Sequence, residues 1–91
     1  MKKVENMTSH NGNKVPNQFI ITDKKGNRFF QSYETIIAKI DCKGKVTLDK
    51  DKWDYSATTS KYRNIFLGED TKETKEKIKN KIYKLRNLNI A

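Results

Sequence analysis

Between Phe19 and Leu48 the chain alternates β-rich runs with short turn sequences built on glycine, and that pattern admits little other than antiparallel hairpins. Phe19-Ile20-Ile21-Thr22 and Arg28-Phe29-Phe30-Gln31-Ser32-Tyr33 flank Lys24-Lys25-Gly26-Asn27. Thr35-Ile36-Ile37-Ala38-Lys39-Ile40 and Val46-Thr47-Leu48 flank Asp41-Cys42-Lys43-Gly44-Lys45. β-Branched and aromatic side chains suit a pleated, half-buried surface, and a Lys-Gly turn reverses the chain at little steric cost. Four short strands joined in this way predict an antiparallel meander.

The pattern then changes. Asp49 to Tyr55 is polar, broken only by Trp53 and Tyr55, and reads as a connection. A helix is expected from Ser56 or Thr58, either of which can cap it, with Tyr62, Ile65 and Phe66 on one apolar face and Gly68 as its stop. On that helix Lys61, Arg63 and Asn64 are expected to face away from the apolar stripe. Thr71 reads as the N-cap of a second helix through Lys72-Glu73-Thr74-Lys75-Glu76-Lys77-Ile78-Lys79. Beyond it, Ile82-Tyr83-Lys84-Leu85 fits a closing strand after a left-handed turn at Asn80. Ile78, Ile82 and Leu85 also fit one continuing helix face. The expected fold is α+β: a small antiparallel sheet of four to five strands in two hairpins, with two short helices in the C-terminal half. Residues 1–15 are poor in apolar side chains and are expected to form a flexible N-terminal lead-in to a single domain over 16–91.

Composition limits the chemistry. Only 34% of the residues are apolar, so the nine aromatics must supply much of the core; Phe19, Phe29, Tyr62 and Phe66 are expected there. A single cysteine, Cys42, permits no internal disulfide, and with a single histidine, His10, it cannot build a four-ligand zinc site. His10 lies in the lead-in, far from the hydroxyl cluster of Ser56 to Ser60, so no Ser-His-Asp arrangement is expected. Those hydroxyls are read as caps. Asp49, Asp51 and Asp54 have lysines between them and lack the spacing of a calcium loop, so they read as a solvated connection. Gly12, Gly26, Gly44 and Gly68 are isolated and make no phosphate loop. No enzymatic activity, cofactor or metal is expected. With no apolar run of membrane-spanning length and no signal-peptide pattern, a cytoplasmic protein without a membrane partner is expected.

The net charge of +9 points to an acidic partner. Lys, Asn and Ile, which have AT-rich codons, make up 35 of the 91 residues, so genome composition accounts for part of the excess. Its distribution is uneven, however: +4 over residues 1–30, zero over 31–70 and +5 over 71–91. Aromatics interleaved with cations suit a nucleic-acid surface or an acidic protein. The candidate partner-binding residues are Trp53, Tyr55, Lys61, Arg63, Lys72, Lys75, Lys79 and Lys81, with Lys72, Lys75 and Lys79 forming a cationic ridge along one helix.

Val15-Pro16-Asn17-Gln18-Phe19-Ile20-Ile21-Thr22, Gln31-Ser32-Tyr33 with Ile37-Ala38, and Trp53-Asp54-Tyr55-Ser56 with Thr58-Thr59-Ser60-Lys61-Tyr62 are similar to segments of a functionally uncharacterised family of small bacteriophage and mobile-element proteins. The resemblance runs from about Val15 to Asn89. It implies a phage or plasmid setting in an AT-rich bacterium and a turn near Asn80, where related sequences often have Gly. It brings no catalytic residue. Phages use small single-domain proteins against host defences, so the expected function is binding and inhibition of a host nucleoprotein or defence effector, in the manner of an anti-CRISPR protein. The alternative is direct, weakly sequence-selective binding of DNA or RNA.

Overall fold

The computed structural model describes residues 3–9 and 11–89 of the chain. Six strands form one sheet in the order of the sequence: β1 (Lys3–Thr8), β2 (Lys14–Thr22), β3 (Arg28–Ser32), β4 (Thr35–Ile40), β5 (Val46–Asp49) and β6 (Lys84–Arg86). Two helices, α1 (Ala57–Leu67) and α2 (Thr71–Lys79), lie between β5 and β6. The α+β class, both hairpins and the closing strand match the expectation. The sheet has six strands rather than four or five.

The additional strand comes from the expected lead-in. β1 lies within residues 1–15 and pairs antiparallel with β2, and Met7 enters the core. Its sequence is too polar to announce a strand, because only one side chain, Met7, needs burial there. Pro16 interrupts nothing. The β1–β2 register shifts between Asn6 and Thr8, so Pro16 falls in an irregular stretch of β2 that also lies ahead of the β2–β3 ladder beginning at Gln18. His10 lies outside the described residues.

β6 departs from a pure meander because it runs parallel to β5. A parallel neighbour requires a long crossover, and α1 and α2 supply it. Ser56 caps α1, accepting from the Thr59 backbone N–H, and Gly68 ends it at φ 72°. Asp70, not Thr71, caps α2. It forms a capping box in which its carboxylate accepts from Glu73 N while Glu73 accepts from Asp70 N. The left-handed residue after α2 is Lys81, at φ 60°, while Asn80 sits at φ −84°.

Strand pairing sorts the side chains. One cross-strand row contains Ile20, Phe30, Ala38, Leu48 and Leu85, and on this face α1 packs over β3 and β4. Phe66 of α1 meets Phe30 with ring centroids 5.9 Å apart, and Tyr62, Met7 and Ile37 complete the buried cluster. Trp53, Ile78, Tyr83 and Leu85 close its margin. The next row, on the opposite face, is Val4, Ile21, Phe29, Lys39, Thr47 and Lys84, one residue from each strand. Successive residues of a strand point to opposite faces, so Phe29 and Phe30 cannot share a core.

Candidate functional site

The aromatic and hydroxyl-rich segment before α1 is built around Arg63, which is fully buried. This corrects the expectation that Arg63 faces away from the apolar stripe. Its Nη1 donates to the Trp53 carbonyl and to Asp54 Oδ1 at 3.2 Å, and its Nη2 donates to Asn64 Oδ1 at 2.9 Å and Thr71 Oγ1 at 2.8 Å. The guanidinium also lies 5.1 Å from the centroid of the Trp53 ring. One planar cation thereby ties the connection after β5 to α1 and to the start of α2. Only a forked, permanently charged group meets donors' partners in so many directions.

The remaining candidate residues divide by exposure. Trp53 is half-buried beneath Arg63, so it is a structural residue with little free ring face. Tyr55 is exposed, with Lys52 Nζ 5.2 Å from its ring. Lys61 is exposed and lies 5.4 Å from the Tyr62 ring. Lys72, Lys75 and Lys79 are exposed and share one face of α2, with Glu76 at its border. Lys81 is exposed but follows the helix and does not extend that ridge.

Asp54 receives Ser60 Oγ at 2.7 Å as well as Arg63. Partial burial pushes its carboxyl upward, but the bonds from Ser60 and Arg63 outweigh this and hold it below the ordinary value. Asp49 is not part of a solvated connection. It is buried and accepts from the backbone N–H groups of Lys52 and Leu88, at 3.0 and 2.9 Å, and from Asn89 Nδ2 at 3.1 Å. Among the described residues, no three His, Cys, Asp or Glu side chains are arranged to hold a metal ion.

A second polar cluster lies at the far end of α2. Glu69 accepts from Lys77 Nζ at 2.7 Å and from the hydroxyls of Thr74 and Tyr83. Burial raises the Glu69 carboxyl, and the three donors more than offset it, so its pKa is lowered. This cluster fastens the segment after α2 to the loop before it. Lys77 is thus a structural cation, unlike its three neighbours on the exposed ridge.

Sequence reasoning missed the second sheet face. Phe19 and Phe29 are absent from the core cluster and by register stand on the opposite face, Phe29 beside Ile21, Ile36 and Leu88. Ile21, Asp23, Phe29, Ile36 and Leu88 line a shallow groove there. Strict alternation through Arg28-Phe29-Phe30-Gln31 was the available signal. Among the described residues no helix is long and apolar enough to cross a membrane.

A family described as a family of unknown function (DUF8033) matches residues 2–83. No curated protein and no solved structure matches the chain.

Proposed function

This chain belongs to the DUF8033 family, and we propose that it is a non-enzymatic binding protein of phage or mobile-element origin. In this reading it occupies a host nucleoprotein or defence effector in the bacterial cytoplasm, as an anti-CRISPR protein does. The observation that carries it is the exposed lysine ridge of α2, Lys72, Lys75 and Lys79, on a chain of net charge +9. Such a ridge is complementary to phosphates or to an acidic protein surface and needs no chemistry to act. The buried polar residues of the Trp53–Arg63 segment support this division of labour, since they are engaged internally.

Direct binding of nucleic acid is the second reading, favoured by the aromatic residues on the sheet face opposite the helices. Co-purification from host lysate, with and without nuclease, separates the two. A stoichiometric protein partner that survives nuclease supports the first. A partner lost with nuclease supports the second, and recovery of neither overturns both.

A further inference from the structure

We propose that the sheet face opposite the helices binds single-stranded nucleic acid, stacking bases on Phe29 and Phe19 and holding phosphates with Lys39, Lys84 and Arg86. This rests on the nucleic-acid side of the function proposed above and gives it a location. The row from Val4 to Lys84 crosses five strand gaps of about 4.8 Å, about 24 Å in all, long enough for several nucleotides. It is graded along its length: Val4, Ile21 and Phe29 are apolar, while Lys39 and Lys84 are cationic. Phe19 lies opposite Gln31, which makes it the diagonal neighbour of Phe29 across β2 and β3, at about 7–8 Å. Two rings so placed can take two bases. Every base offers a face for stacking, so such a platform is tolerant of sequence.

Both rings are only partly buried, and among the described residues no helix or strand packs over them. Val4, in the same row, is 59% exposed, and Leu88 borders Phe29, so this face presents partly exposed apolar side chains as a contact surface does. Charge selects the occupant. Lys39 Nζ lies over the Phe29 ring, 5.6 Å from its centroid, so a base stacking on that face displaces this cation toward its phosphate. The turns at this end of the sheet carry two carboxylates, Asp23 and Asp41. Each is held inside its own turn, accepting backbone N–H groups at 2.9 to 3.0 Å. Four exposed lysines on the same turns, residues 24, 25, 43 and 45, outnumber them. The turns are joined side by side, Cys42 N donating to Asn27 Oδ1 at 3.0 Å. An acidic rim would have favoured a basic peptide; this rim favours phosphates.

The test is binding of fluorescent oligo(dT) and oligo(U) by the full chain across a salt series. Wild type should bind both, or one, more tightly than a duplex of equal length. Phe29→Leu and Phe19→Leu should each weaken binding about tenfold with the salt slope unchanged, because stacking releases no counterions. Phe29→Trp should retain binding and lose fluorescence when a base stacks on it, which reports directly on the site whatever the stability of the leucine variants. Unchanged binding in both leucine variants would overturn this site while leaving nucleic-acid binding intact. Failure of wild type to bind any oligonucleotide, with a nuclease-resistant protein still co-purifying, would overturn this inference and leave the protein-binding function standing. Loss of that protein in Phe29→Leu would identify the face as a protein contact instead, also against the proposal.

Discussion

Arg63 places its guanidinium over the ring of Trp53, at 5.1 Å, and donates to that residue's own carbonyl. The contact holds both the side chain and the backbone of Trp53, and the same guanidinium reaches Thr71 across the helix junction. Lysine cannot reproduce this, having one compact charge in place of a fork. Arg63→Lys and Arg63→Ala should each lower stability by about 2–3 kcal/mol, mainly by leaving the part-buried acceptors at Trp53 and Thr71 unpaired, since Asp54 is one-third exposed and can be solvated. Thr71→Val, which removes one acceptor, should cost about 1 kcal/mol. Urea unfolding with unchanged slope would measure all three.

Gln18 presents the reverse case. It is 1% exposed, and neither its Oε1 nor its Nε2 has a hydrogen-bond partner among the described residues. A buried polar group without a partner costs about 1–3 kcal/mol. Gln18→Met keeps the volume and removes that penalty, so it should be neutral or stabilising by about 1 kcal/mol, read from the thermal midpoint. A loss of 2 kcal/mol would show that the amide is satisfied.

The Glu69 cluster gives the protein a specific pH response. The carboxyl of Glu69 sits below its ordinary 4.5 in the folded state. A depressed folded pKa contributes stability that is complete above the unfolded value and is lost as the pH falls through the folded one. Stability should therefore drop below about pH 4.5, and Glu69→Gln should shallow that drop. Burial, and then the adjacent Glu69, raise Tyr83 above 10.0. Its contribution is complete below pH 10.0 and is lost as pH rises beyond it. Tyr83→Phe should remove that alkaline component. Unfolding curves from pH 3 to 11 would show both.

Asn89 secures the end of the described chain. Its Nδ2 donates to the Ile36 carbonyl at 2.9 Å, and its Oδ1 accepts from Ile36 N at 2.7 Å. It thereby serves two backbone groups of β4 beyond the last β4–β5 pair, Ala38 with Leu48. Asn89→Ala should cost about 1–2 kcal/mol and speed amide exchange at Ile36 more than at Ala38.

The hairpins were legible because Gly26 and Gly44 stand in strong β contexts, and α1 because Ser56 and Gly68 are strong boundary signals. β1 was hidden because its pairing energy lies in the backbone and in Met7 alone. The parallel β6 could not be read from Lys84-Leu85-Arg86, since strand direction depends on where two helices return the chain. The candidate site was half legible. The exposed lysines of α2 follow from helical spacing, but Arg63 looked like a surface cation, as arginines usually are. Its burial depends on acceptors at Trp53 and Thr71, ten and eight residues away in the segments before and after α1, where helical spacing gives no hint of them.

In the proposed function, exposed cations hold the protein on its target without catalysis. The direct measurement is retention of the host partner by wild type and by Lys72→Gln/Lys75→Gln/Lys79→Gln/Lys81→Gln at about 50 and about 200 mM salt, with both proteins shown to unfold at the same urea midpoint. Wild type should be strongly retained at low salt and more weakly at high salt, and the variant little at either. Equal retention by both proteins at both salts would contradict the proposed function.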